Sequence, residues 1–172
     1  LDEGDMAIQV WRLPSVSLSE SVQNALDVER VLRQFPEVLQ VVTRTGSPEV
    51  ATDVMGVELS DVFVILKPQH EWTTAGTRED LIAKMKPAIL EAVPGVGLGF
   101  TQPIEMRFNE LIAGTRSDLA VKIFGPDLDV LKKQAEAVAR QLETVRGAAD
   151  VKVEQVAGLP LLRVIVDREQ IA

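Results

Sequence analysis

The chain has 172 residues, of which 46% are hydrophobic and 26% charged, enough for one large or two small packed domains. A net charge of −8 and a pI near 4.7 argue against a nucleic-acid partner, because phosphate binding needs clustered Lys and Arg, and they suit a cationic ligand. With no cysteine, disulfides and thiolate metal sites are excluded.

Met6, Ile8 and Val10 alternate with Ala7, Gln9 and Trp11, which predicts a first strand. Pro14 stops it, and Ser17-x-x-Glu20 is a capping box for a first helix with Leu18, Val22, Ala25, Leu26 and Leu32 on roughly one face. Pro36 ends that helix, and Val38 to Thr45 returns as a second strand closed by Gly46. Residues 47–60 have little period and read as a loop or hairpin crossing. Residues 62–66 are apolar on both faces, which predicts a central third strand.

Thr77-x-x-Asp80 caps a second helix carrying Ile82, Met85, Ile89 and Val93 at helical spacing. Pro87 lies inside that pattern and predicts a kink or a late start. A fourth strand follows from Val96 to Thr101, weakened by Gly97 and Gly99. Residues 103–117 show no clear period and read as a connecting segment. Leu119, Val121 and Ile123 then alternate as a fifth strand. Gly125-Pro126-Asp127 opens a third helix with a stripe of Leu128, Leu131, Ala135, Val138 and Leu142. Val151 and Val153 give a sixth strand, and Leu162, Val164 and Val166 a further one after the Gly158-Leu159-Pro160 turn.

Strand, helix, strand thus recurs three times, opening near Asp5, Asp61 and Asp118. Two such βαβ units close into an α+β split-βαβ, ferredoxin-like sandwich of four strands under two helices. Three units make one sandwich over residues 1–102 and half of another from about 118, so the chain reads as a slice of something larger. Its longest unbroken apolar strand run, residues 62–66, is far below the ~18 residues that cross a bilayer. No signal peptide opens the chain, which predicts a soluble piece cut from its context.

Nucleophilic enzyme chemistry has no foothold. The single histidine, His70, sits in a post-strand loop beside Pro68, and the spaced glycines Gly95, Gly97 and Gly99 lie in a strand instead of opening a helix. The acidic groups offer more. Glu58 and Asp61 stand where the crossing segment enters the third strand, and Glu105 and Glu110 lie in the segment after the sandwich. Carboxylates converging from two subdomains suit a hard or borderline divalent cation such as zinc. Solvated loop carboxylates, or an ion pair of Glu110 with Arg107, would give the same spacing.

Several strings recur together. They include Leu1-Asp2-Glu3-Gly4-Asp5, Phe35-Pro36-Glu37-Val38, Thr45-Gly46, Ala51-Thr52-Asp53, Lys67-Pro68 and Glu71-Trp72. Gln102-Pro103-Ile104, Arg107-Phe108-Asn109-Glu110-Leu111, Val121-Lys122-Ile123-Phe124-Gly125 and Asp167-Arg168-Glu169 complete the set. In this order, the chain resembles the heavy-metal branch of the resistance–nodulation–division (RND) efflux pumps, the cobalt–zinc–cadmium type. The resemblance implies a proton-driven homotrimer of the Gram-negative inner membrane, working with a periplasmic adaptor and an outer-membrane channel. This slice would be periplasmic: porter subdomain C1 over residues 1–102, a cleft-edge connection over 103–117, the first half of C2 over 118–160, and the lead into a docking subdomain over 161–172.

The copper and silver branch carries three cleft methionines, and the aligned positions here are Gln9, Leu59 and Glu110. None is Met; thioethers suit soft Cu(I), whereas carboxylate and imidazole suit zinc, cobalt and nickel. The resemblance therefore implies a weak transport site for a divalent metal ion built on Glu110, Glu58 and Asp61, with no resident cofactor. A soluble ferredoxin-like small-molecule-binding regulatory module is the alternative reading, and a purely structural adaptor a third.

Overall fold

The computed structural model describes residues 3–47, 55–113 and 119–154, leaving aside the side chains of Glu110, Ile112 and Ala113. Its elements in chain order are β1 (Met6–Trp11), α1 (Leu18–Leu32), β2 (Val38–Thr45), β3 (Leu59–Leu66), α2 (Arg78–Ala92), β4 (Gly97–Thr101), α3 (Pro103–Ala113) and α4 (Leu128–Leu142). The four strands form one antiparallel sheet in the order β2-β3-β1-β4, so β3 and β1 are interior. Both βαβ connections cross the same side of the sheet, where α1 and α2 pack against each other. This is the α+β split-βαβ arrangement.

Local chemistry explains the helix starts. The Ser17 hydroxyl accepts from the Glu20 amide at 3.1 Å, and the Thr77 hydroxyl from the Asp80 amide at 3.1 Å. Each satisfies one of the amides left unpaired in a first helical turn. Of the expected kink or late start, the late start does not occur: α2 begins at Arg78 and continues through Pro87. The carbonyl that Pro87 leaves without a partner belongs to Ala83, which is exposed, so water can take the missing donor's place.

Strand alternation sends Met6, Ile8, Val10, Val62, Val64 and Leu98 into the layer beneath the helices. There they meet Val28 and Leu32 of α1 and Leu81, Met85 and Ile89 of α2. Burying each such side chain contributes about 1.5–3 kcal/mol. The buried stripe of α1 is Ser21, Ala25, Val28 and Leu32. Leu18, Val22 and Leu26, expected on the inner face, are exposed instead. The apolar positions of this helix fall on two stripes, and Ser21 completes the inner one.

Residues 103–113, expected as an irregular connection, are the helix α3. Residues 119–123 and 151–153, expected as strands, carry no ladder among the described residues. The third βαβ unit is therefore represented there by its helix alone. Alternation marks a segment that can pair, but a strand exists only where a neighbour supplies the bonds. The further strand expected over 162–166 lies outside the described residues.

Candidate metal cleft

The sheet face opposite α1 and α2 carries Gln9, Leu59 and Asp61, three positions singled out in the sequence. Register places three rows of side chains on it: Ala7, Phe63, Val42 and Thr101; then Gln9, Asp61, Arg44 and Gly99; then Trp11, Leu59 and Gly97. Over the first row lies α3, which packs on β1 and buries Met106. Thr101 donates its hydroxyl hydrogen to Glu105 of α3 at 3.3 Å. The start of α3 is fixed from far away in sequence: Glu3 accepts from the amides of Ile104 at 2.6 Å and Glu105 at 2.9 Å. A carboxylate at a helix N-terminus satisfies unpaired amides and complements the helix dipole.

The third row is built around Trp11. A Cβ added to Gly97 would collide with its indole, and one at Gly99 would come within 3.2 Å. These glycines, which the sequence alone marks as weak strand residues, form the ledge on which the ring lies. Lys152 stands over the same ring, its Nζ 5.0 Å from the centroid, a cation–π distance. Close by, Lys86 of α2 pairs with Asp150. The two contacts flank a cavity of about 360 Å³ between the sandwich and residues 143–151, lined by Trp11, Leu90, Leu98 and Val151 among others.

Asp61 sits in the middle row, on an interior strand, with 1% of its side chain exposed. It faces Gln9 across β1 and Arg44 across β2. Arg44 donates from Nη2 to Asp61 Oδ2 at 2.7 Å while 40% of its own side chain remains exposed. Leu59 lies one row away on the same face. Two of the three positions aligned with the copper-branch methionines, Gln9 and Leu59, thus share this face with Asp61. The third, Glu110, is on α3; its side chain lies outside the described residues.

Glu58 belongs to the turn before β3, in which the Leu59 amide donates to the Gly56 carbonyl at 3.1 Å. Its own carbonyl accepts from the Arg12 amide at 3.0 Å and from Arg12 Nη1 at 3.4 Å. The Glu58 carboxylate lies back against Gly56. Among the described residues, no three His, Cys, Asp or Glu side chains are grouped to hold a metal ion. His70 lies in a 3-10 turn (Gln69–Glu71) with an exposed side chain.

Sequence reasoning missed Arg44, Arg12 and Glu37. Arg12 is buried, bonding Ser60 Oγ at 2.9 Å and Asn24 Oδ1 at 3.2 Å. Burial pushes its guanidinium pKa down, and nearby Glu20 partly offsets the shift. Nothing local distinguishes Arg44 from a surface arginine; only the β2–β3 register places it against Asp61.

Known proteins resemble this chain along its whole length. All residues, 1–172, match the model of the AcrB/AcrD/AcrF family. The chain belongs to that family. Among its relatives, HelA of Legionella pneumophila is 50% identical over 173 residues. The cobalt-zinc-cadmium resistance protein CzcA of Cupriavidus metallidurans is 45% identical, and the nickel and cobalt resistance protein CnrA of the same species 41%. Each alignment covers 100% of this chain and 16% of the relative, so the chain spans about a sixth of their length. A crystal structure of a heavy metal efflux pump superposes with a TM-score of 0.90 at 36% identity, covering 98% of this chain and 17% of that one. The resemblance to the heavy-metal branch of this transporter family is borne out, and its members here are transporters and not enzymes. No helix among the described residues is long and apolar enough to cross a membrane.

Proposed function

We propose that this chain is the cleft-forming porter part of a proton-driven RND pump that exports divalent cations of the zinc, cobalt, cadmium and nickel class. In this reading residues 1–102 are subdomain C1 and residues 118–160 the first half of C2. The segment 103–117 edges the cleft, and residues 161–172 lead into a docking subdomain. The pump is a homotrimer of the Gram-negative inner membrane, this part is periplasmic, and an adaptor and an outer-membrane channel complete the export path.

One observation carries the reading: a carboxylate, Asp61, is buried on the sheet face that α3 overhangs, directly across from Gln9. Buried carboxylates are rare unless a cation or hydrogen-bond donors compensate them, and Arg44 now holds the place that a metal cation would take. The neighbouring aligned positions carry Gln, Leu and Glu instead of thioethers, which suits a borderline divalent ion and not Cu(I). Glu110 of α3 and Glu58 of the β3 turn supply the remaining oxygens after modest closure. Few ligands and open positions for water give weak binding, which a transported ion needs in order to leave quickly.

The test is resistance. In the full-length pump, Glu110→Ala should abolish zinc or cobalt resistance of a sensitive host while expression and trimer assembly stay unchanged. If the variant protects cells as well as the parent, Glu110 is a structural carboxylate and the site lies elsewhere.

A further inference from the structure

The ion pair in the middle row has two unequal partners. Asp61 is fixed on an interior strand with 1% of its side chain exposed, whereas Arg44, its register partner on the edge strand β2, is 40% exposed. The carboxylate cannot leave, whereas the guanidinium, on a long side chain that is 40% exposed, is the partner with room to move. Guanidinium also keeps its charge at any physiological pH. A cation that takes the Asp61 oxygen Oδ2 must therefore displace Arg44, and no proton loss from the arginine can do that work for it.

We propose that Arg44 is the specificity-determining residue of the cleft, a built-in counter-ion that a transported metal ion must displace from Asp61. The inference rests on the reading of Asp61 as a cation ligand. Its selectivity follows from charge. A monovalent ion that replaces the guanidinium brings no additional charge to Asp61 and has to shed its water. A divalent ion loses water at greater cost, but it can keep part of its shell at open positions and brings one further unit of charge into a poorly solvated place, where each unit counts for more than in water. The pair thus screens out sodium and potassium. It also subtracts from the affinity for the metal, which keeps the site exchangeable.

The experiment is a zinc titration of the 172-residue chain against a chromogenic chelator, comparing wild type with R44Q, D61N and the double variant. R44Q should tighten zinc binding about tenfold, a gain that structural damage would not produce, and D61N should remove that gain in the double variant. A second measurement uses the wild type alone: labelling of Arg44 by phenylglyoxal, followed by mass spectrometry, should accelerate when zinc is added. The proposal is overturned if R44Q binds zinc no more tightly than wild type, or if zinc leaves Arg44 labelling unchanged or slower. D61N separates the two ideas. If it weakens zinc binding while R44Q does not tighten it, Asp61 stands as a ligand and the counter-ion role falls; if it has no effect, the ligand reading falls too.

Discussion

At the mouth of β2, Glu37 is a carboxylate with 1% of its surface exposed. Burial alone would raise its pKa, but donors from Thr74 and Thr73 outweigh that and hold it below the ordinary glutamate value. Glu37 Oε1 accepts from the Thr74 amide at 2.6 Å, the Thr74 hydroxyl at 2.8 Å and the Thr73 amide at 3.0 Å. Its backbone carbonyl accepts from the Lys67 amide at 2.8 Å. Glu37→Ala strands these buried donors and should cost about 2–3 kcal/mol in chemical denaturation. The charge contribution has a definite pH window. A depressed folded pKa stabilises above the unfolded value of about 4.3, and that stability is lost as pH falls through the folded pKa. The stability gap between wild type and Glu37→Gln should therefore be steady from neutral pH down to about 5 and close below it. Glu37 was visible in the sequence only as part of a family string, because its partners lie far along the chain. Gly97 makes the same point for packing: Gly97→Val should drive a side chain into Trp11 and cost about 1–3 kcal/mol.

Among the elements, α3 was the least legible. Two local signals were present: Pro103 at its first position and Gly114 following it in sequence. They were outweighed because Met106 is the only clearly buried apolar position among its described side chains, too few to print a period. The clasp from Glu3 has no local signature at all, since its partners are about a hundred residues away. Glu3→Ala should cost about 1 kcal/mol and raise amide hydrogen exchange at Ile104 and Glu105 selectively, leaving α1 and α2 protected. The elements read correctly include β1, β2, β3, β4 and α2, which share one core, and α4, whose stripe is half-buried at most. Even there, α1 shows the limit. Leu18, Val22 and Leu26 repeat as well as the true inner stripe does, and only the packing partners decide which face turns in.

At the scale of the molecule, the described part is a closed sandwich beside a less covered segment. Leu119, Val121 and Phe124 are 89%, 61% and 87% exposed, and no residue of α4 is fully buried. Exposed apolar surface of this kind favours association. The isolated chain should therefore self-associate as concentration rises in light scattering, and Leu119→Ser with Phe124→Ser should shift it toward monomer. A strictly monomeric wild type at high concentration would contradict this. Two of the three expected βαβ repeats stand in the described residues, and the third is represented there by its helix α4. That the third unit's described residues carry no ladder was not legible, because pairing is a property of neighbours. The candidate site was legible as carboxylates and illegible as geometry: Asp61 was named, whereas the cation already beside it was not.

The glycine ledge under Trp11 also makes the protein its own optical gauge. The chain has two tryptophans, and the second, Trp72, is tied within the sandwich by its indole N–H to the Lys67 carbonyl at 2.8 Å. With Trp72→Phe, all indole emission comes from the ring lying between β4 and Lys152. When residues 148–152 stay seated, the ring is sheltered; when they lift, water reaches it and the emission moves to the red. Because Trp11 and Gln9 project from one strand onto one face, a metal ion arriving near Asp61 and a shift of the neighbouring segment can be timed in a single stopped-flow trace.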